Sequence, residues 1–227
     1  MKLTYYGHSC LYVEHEGKSV IIDPFLSGNP KAGIRPEEIR VDAVLLTHGH
    51  GDHFGDTLEI AKANDCPVIS NAELAGICAR QGAKAHGMNT GGSYTFDGFA
   101  VKFTLAFHSS SVEVDGQLVY AGQPMGLLLT MGGKTLYHAG DTALFGDMKL
   151  IGERNRIDAA ALPIGDNYTM GPEDAALAAR WIGANVVIPI HYNTFPAIQQ
   201  DPHRFVSTLE ESGLRGQVLA IGESLEL

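Results

Sequence analysis

Short apolar runs separated by glycine-rich and polar breaks fill most of the chain, the pattern of many strands with a few interposed helices. Leu3, Tyr5, Leu11 and Val13 alternate on either side of Gly7-His8-Ser9, which predicts two strands with a bend between them. Ser19-Val20-Ile21-Ile22, ended by Asp23-Pro24, and Ala43-Val44-Leu45-Leu46 predict buried strands. Between them Gly28, Pro30, Gly33 and Pro36, with few apolar residues, predict a long irregular loop from Pro24 to Arg40. Helices are expected over Thr57 to Ala63, where Asp56-Thr57-Leu58-Glu59 has capping-box spacing, and after Pro67-Val68-Ile69. In the second, Ser70 and Glu73 repeat that spacing and Leu74, Ile77 and Cys78 share a face.

Further along, Gly82 to Gly98 is turn-rich with a short strand near Ser93 to Phe96, and Val101 to Phe107 alternates as a strand. Gly126 to Met131 and Lys134 to Tyr137 predict a hairpin turning through Gly132-Gly133. Ala159 to Ile164 and Val186 to Ile190 are buried strands. Pro172 opens a helix completed by Ala175 to Trp181, Asp201-Pro202 starts the last long helix, and Val218 to Ile221 is expected as a closing strand. No linker, repeat or low-complexity segment divides these elements, so residues 1–227 are expected to form one domain. Strands interspersed with helices and hairpins imply an α/β fold of two mixed β-sheets packed together with outer helices.

Composition narrows the partners. The 227 residues, 44% hydrophobic, can bury a sizeable core, and 26 acids against 16 bases leave a formal charge of −10 with no Lys or Arg block. That argues against a nucleic-acid groove or an anionic membrane surface and leaves a small-molecule substrate as the expected partner, with homo-oligomerisation open. Met1 to Val13 lacks the features of a signal peptide and no run reaches transmembrane length, so the expected location is cytoplasmic. Cys10, Cys66 and Cys78, odd in number and widely spaced, read as buried free thiols.

The candidate chemistry gathers where the fourth strand stops, at Thr47-His48-Gly49-His50-Gly51-Asp52-His53. In an extended chain His48, His50 and Asp52 would share one face and His53 the other, so a turn is needed to bring all four together. Gly49 and Gly51, free to take positive φ, are expected to supply it. Three imidazoles and a carboxylate suit a first-row divalent cation, zinc above the others. Beyond this loop, Ser19 to Asp23, Val101 to His108, Lys134 to Asp141 and Val186 to His191 are further strands that end in a candidate ligand. One pocket could collect them all.

The H-x-H-x-D-H spacing resembles the signature of the metallo-β-lactamase superfamily, matching at all four ligand positions. The resemblance extends over roughly Met1 to Ile198 and implies a four-layer αββα sandwich with a metal site along one sheet edge. It implies that His48, His50 and His108 hold one metal and that Asp52, His53 and His191 hold a second. Asp141, in Ala139-Gly140-Asp141-Thr142, would bridge them. The cofactors would then be two divalent metal ions, Zn²⁺ or alternatively Mn²⁺ or Fe²⁺. Two such cations about 3.5 to 4 Å apart lower the pKa of a shared water. The expected activity is a metal-dependent hydrolase using metal-bound hydroxide on a small ester, lactone, amide or phosphoester. Asp52 is the candidate to orient the nucleophile and take its proton, and Asp23 to fix a ligand imidazole's tautomer.

Gly7-His8-Ser9 is similar to starts found in the branch that includes ascorbate-6-phosphate lactonase and N-acylphosphatidylethanolamine phospholipase D. With Pro163-Ile164-Gly165-Asp166-Asn167 and Met170-Gly171-Pro172-Glu173-Asp174, it makes the chain look most like a group of uncharacterised metal-dependent hydrolases. That likeness makes His8 a candidate proton donor or substrate contact. Asp166, Asn167, Tyr168, Tyr192 and Asn193 could bind polar substrate groups, while His138 is expected to be structural and His15, His86 and His203 solvated. Two alternatives stay open: a mononuclear iron oxygenase of the sulfur dioxygenase type, and a non-catalytic metal-stabilised binding protein.

Overall fold

A computed structural model describes residues 1–227. Strands β1 (Lys2–Gly7), β2 (Cys10–His15) and β3 (Lys18–Ile22) form an antiparallel meander, continued in parallel by β4 (Ala43–Leu45), β5 (Pro67–Asn71) and β6 (Lys84–Met88). In the second sheet β7 (Ser93–Thr95), β8 (Ala100–Leu105), β11 (Met125–Met131) and β12 (Lys134–His138) are antiparallel. β13 (Ala159–Pro163) and β14 (Val186–Ile190) extend it in parallel from β12. β9 (Ser111–Val114) and β10 (Gln117–Tyr120) make a separate hairpin, and β15 (Ser224–Glu226) pairs with β1 at the edge of the first sheet.

Period-two burial packs the sheets face to face. On β14, Val186, Ile188 and Ile190 enter the core between the sheets while Val187 points to the helical side. On β4, Ala43 and Leu45 point inward, and Val44 faces outward with Leu46 of the following loop. The inter-sheet core takes 25 buried residues, against 19 and 17 for the two helix-facing cores, so the contact between sheets is the largest single source of burial. After a single-turn helix α1 (Gly51–Phe54), helices α2 (Thr57–Ala63) and α3 (Ala72–Arg80) cover the first sheet through Ile60, Leu74 and Ile77. Helices α4 (Met148–Arg154), α5 (Pro172–Ile182) and α6 (Pro202–Glu211) cover the second through Ala175, Ala179, Phe205 and Leu209. The result is the αββα sandwich.

Several local expectations need correction. Val218 to Ile221 is not a strand, because the chain bridges β14 only at Gly216 and turns at Gly222 (φ +83°) onto β1, leaving the closing strand to β15. Neither predicted capping box forms. The Asp56 carboxylate instead accepts from the Leu26 and Ser27 amides (2.8 and 2.9 Å), anchoring the long loop. Ser70 donates to the Leu46 carbonyl, and Asn71 caps α3 by accepting from the Leu74 amide at 2.8 Å. β6, α4 and the β9–β10 hairpin were not predicted, although Asp115-Gly116, both at positive φ, is the expected hairpin turn pair. His86 sits in β6, half-buried against the Tyr94 ring at 4.5 Å, rather than in a solvated turn. Cys10, Cys66 and Cys78 are buried free thiols, as expected.

Asn71 does more than cap, since its amide also donates to the carbonyls of Ala121 (2.8 Å) and Gln123 (3.0 Å) beyond the hairpin. Loss of the cap together with orphaned buried groups predicts that Asn71→Ala lowers unfolding free energy by about 3 kcal/mol in urea titrations. A loss under about 0.5 kcal/mol would show that the side chain is not holding the hairpin loop to α3.

Candidate metal centre

The ends of β3, β4, β8, β12 and β14 bring Asp23, His48, His108, Asp141 and His191 into one cluster, all on the same edge of the sandwich. Backbone bonds lock the two sheets together there: Met125 N–H to Thr47 C=O (3.0 Å) and His191 N–H to His8 C=O (2.7 Å). His8, Asp23 and His191 are all held at positive φ (+54°, +47° and +54°), a left-handed conformation that few non-glycine residues adopt and that Asp and His tolerate better than most.

The turn in the metal loop is α1 itself, with His50 at its N-cap and Asp52 and His53 on its single turn. Neither Gly49 nor Gly51 has positive φ, contrary to expectation. Gly49 is required for close approach, because a Cβ there would lie 2.7 Å from the Ala121 Cβ and 3.0 Å from the Ser111 carbonyl oxygen. The positive-φ glycine is Gly55 (φ +38°), which ends α1 against Pro24.

Hydrogen bonds around Asp23 assign the ring protons. Asp23 is fully buried and accepts from the Thr47 amide (2.9 Å), the Thr47 hydroxyl (2.6 Å) and His53 Nδ1–H (2.7 Å). Since the Thr47 proton goes to Asp23, its oxygen accepts from His48 Nδ1–H at 3.0 Å. That leaves Nε2 of His48 unprotonated, an acceptor facing His50 Nδ1 at 3.0 Å, and Nε2 of His53 is the nitrogen aimed away from Asp23. Asp23 thus does what the sequence suggested. Thr47 is a partner that sequence reading missed.

Two groups of candidate ligands result. Single nitrogens of His48, His50 and His108 lie within 4.8 Å of one another, with His48 Nε2 and His50 Nδ1 3.0 Å apart. One ligand atom from each of Asp52, His53, His191 and His8 forms the second group under the same limit. Asp141 reaches both, with its carboxylate 3.2 Å from His53 Nε2, 3.1 Å from His191 Nε2 and 3.6 Å from His108 Nε2. His53 Nε2 and Asp141 Oδ1 are buried and face each other at 3.2 Å without the alignment of a good hydrogen bond, and a cation between them would satisfy both. Imidazole and carboxylate donors at these separations fit borderline divalent cations. A third grouping, Asp23 with His48 and His53, is already used in hydrogen bonding and reads as support for the ligands.

Burial holds His48, His50 and His108 below the ordinary imidazole range, keeping them neutral as ligation demands. Burial also opposes charge on His53, but the Asp141 and Asp23 carboxylates outweigh it and raise its pKa well above the usual value. For Asp141, burial is outweighed by His53 and His191, which hold the carboxyl well below its usual range.

His8 is only 1% exposed. Its Nε2 meets Asp52 Oδ2 at 3.0 Å and its Nδ1 meets Thr194 Oγ1 at 2.9 Å, so both nitrogens are engaged. The Phe25 and Phe195 rings pack edge-on against it (5.6 and 5.5 Å), and burial pushes its pKa down to about 4 against the pull of Asp52. His138 is structural, bonded at Nε2 to the Ser9 carbonyl at 2.9 Å. Asn193 accepts from the Gln200 amide and Asp166 bonds within its own turn, while Tyr192 lines a cavity of about 400 Å³ backed by His8 and Thr194.

Residues 2–191 match the model of the β-lactamase superfamily domain. The chain is 58% identical over 229 residues to a UPF0173 metal-dependent hydrolase of Bacillus cytotoxicus and 59% identical over 228 to one of Anoxybacillus flavithermus, with all of each chain covered. The chain belongs to the UPF0173 family of the metallo-β-lactamase superfamily. Among solved structures, this family member is similar to Igni18, a metallo hydrolase of Ignicoccus hospitalis, with a TM-score of 0.90 and 38% identity. That match covers 100% of this chain and 98% of the other. An isothiocyanate hydrolase from Delia radicum gut bacteria shares the fold, with a TM-score of 0.79 at 23% identity over 100% of this chain and 99% of its own. No helix of the UPF0173 chain is long and apolar enough to cross a membrane.

The raised pKa of His53 gives metal binding a pH dependence in this UPF0173 chain. A cation at Nε2 must displace the proton there, so binding strengthens as pH rises through the raised pKa and weakens below it. Calorimetry of zinc added to metal-free chain at pH 7, in buffers of differing ionisation heat, is expected to show release of about one proton from this ring. Asp23→Asn removes one of the two carboxylates that sustain the proton. It should reduce the release and weaken binding about 10- to 100-fold. Identical heats in all buffers would refute the assignment.

Proposed function

We propose that this chain is a binuclear hydrolase that cleaves a small ester, lactone, amide or phosphoester, with zinc as its metal. The observation that supports it above all is Asp141, which lies within 3.6 Å of nitrogens belonging to both groups of candidate ligands and so can bridge two cations. His48, His50 and His108 would hold one cation and Asp52, His53 and His191 the other. When bound, two such cations supply an ionised water at neutral pH and a Lewis acid for the substrate oxygen.

The protein's own groups supply orientation. Asp52 stays ionised, since the hydrogen bond from His8 and the charge of His53 outweigh the opposing effect of burial. Its side chain is 28% exposed, which places a carboxylate at the mouth of the centre, able to hold the attacking water by one oxygen and receive its proton. The Asp23–Thr47 and Asp23–His53 bonds keep the rings from turning as charge develops. The metal-dependent hydrolase names of the relatives agree with this reaction class.

Elemental analysis of protein purified without chelator is expected to find about two zinc ions per chain, falling to about one in His191→Ala. Asp52→Asn should reduce kcat about 100-fold or more on whichever phosphodiester or lactone is turned over. A single iron per chain, unchanged in His191→Ala, would overturn the binuclear reading.

A further inference from the structure

His8 and Asp52 meet across the centre, but what holds His8 is Thr194, 186 positions away along the chain. The His8 ring has two orientations related by a half-turn about its Cβ–Cγ bond. In one, Nδ1 meets the Thr194 hydroxyl at 2.9 Å and Nε2 meets Asp52 Oδ2 at 3.0 Å. In the other, carbon atoms would stand at both places and both hydrogen bonds would vanish. The flanking Phe25 and Phe195 rings and the His191 ring, at 4.2 Å, are shape-selective but supply no hydrogen bond that tells the two orientations apart. Thr194 is the polar group that does so from outside the candidate ligands.

Asp52 needs such a hold. It sits on the four-residue α1, and its Oδ2 lies 3.8 Å from His191 Nε2. Rotation of the carboxylate toward solvent would remove it from the Asp52, His53 and His191 group. An ionised carboxylate can accept hydrogen bonds but donate none. The bond from His8 is the only side-chain hydrogen bond that Asp52 receives. Ionised Asp52 accepts from His8 Nε2–H at 3.0 Å, and the Thr194 hydroxyl, whose other acceptor, the Tyr192 carbonyl, stands farther off at 3.5 Å, donates to His8 Nδ1 at 2.9 Å. Each donor in this series points toward Asp52.

We propose that Thr194 is a positioning residue whose hydroxyl sets the orientation of His8, and through it holds the Asp52 carboxylate beside His191 to receive the second cation. The inference rests on the binuclear reading above. Thr194 is itself 8% exposed and its only hydrogen bond to the centre is to His8, so its effect falls on Asp52 and not on the His48, His50 and His108 group.

The test is stepwise removal of zinc from the holoprotein by graded chelator, with elemental analysis at each step, in wild type, Thr194→Val and Thr194→Ser. Valine keeps the shape and loses the hydroxyl; serine restores it. The expected result is that valine weakens one zinc, the one that His191→Ala also loses, about 10- to 100-fold, the range for loss of an outer partner of a metal ligand, while the other is unchanged. Serine should return that site to near wild type, and the thermal midpoint of the metal-free forms should stay together. Equal zinc retention at both steps in wild type and Thr194→Val overturns the inference and leaves the binuclear reading standing. So does parallel loss of both zincs with a lowered metal-free midpoint, which marks a general structural defect. A wild-type chain that never exceeds one zinc overturns both.

Discussion

The buried carboxylate of Asp23 is the interaction on which the centre depends. A carboxylate with no exposure is costly unless its lone pairs are met, and here three donors meet them, two from Thr47 and one from His53. Through Thr47 it also sets the proton of His48. A single side chain from the end of β3 therefore determines which nitrogen two rings of the next strand's loop present. Its amide is bonded to Leu45 of β4, so the carboxylate is as rigid as the sheet that carries it.

That rigidity explains why the site lies on a sheet edge. Strands β4 and β14 beneath it are buried on both faces, with alternate residues fixed in the inter-sheet and helix-facing cores, so their ends have little freedom. The loops beyond can then hold His8, Asp23 and His191 in left-handed backbone conformations that would relax in a flexible segment. The inter-sheet hydrogen bonds from Met125 to Thr47 and from His191 to His8 join the halves at the point where candidate ligands from both must meet.

Electrostatically the centre is a balance of opposites. Several imidazoles face one another with nitrogens as close as 3.0 Å, which favours neutral rings, while the buried Asp23 and Asp141 and the partly exposed Asp52 contribute negative charge. The Asp141 and Asp23 carboxylates on either side of His53 raise its pKa well above the usual imidazole value. A divalent cation answers better than a proton, because it can face the lone pairs of His48, His53 and Asp141 together without the directional limits of a hydrogen bond.

What the sequence determined by itself was whatever is encoded in neighbouring residues. The H-x-H-x-D-H spacing placed four candidate ligands in seven positions, and apolar runs marked the ends of the strands that carry Asp23, His108, Asp141 and His191. Resemblance to one superfamily then supplied the layers, which the structure reproduces. Local spacing failed where a distant partner outcompeted it: Asp56 left its helix for the amides of Leu26 and Ser27, and Ser70 left the cap to Asn71. Only the tertiary structure decided the roles of Thr47 and Thr194, the use of Gly49 for close approach, and the enclosure of His8 with both nitrogens engaged. A hydroxyl's function lies in the proton it gives or takes, and chain order does not carry the identity of a partner brought close by two packed sheets.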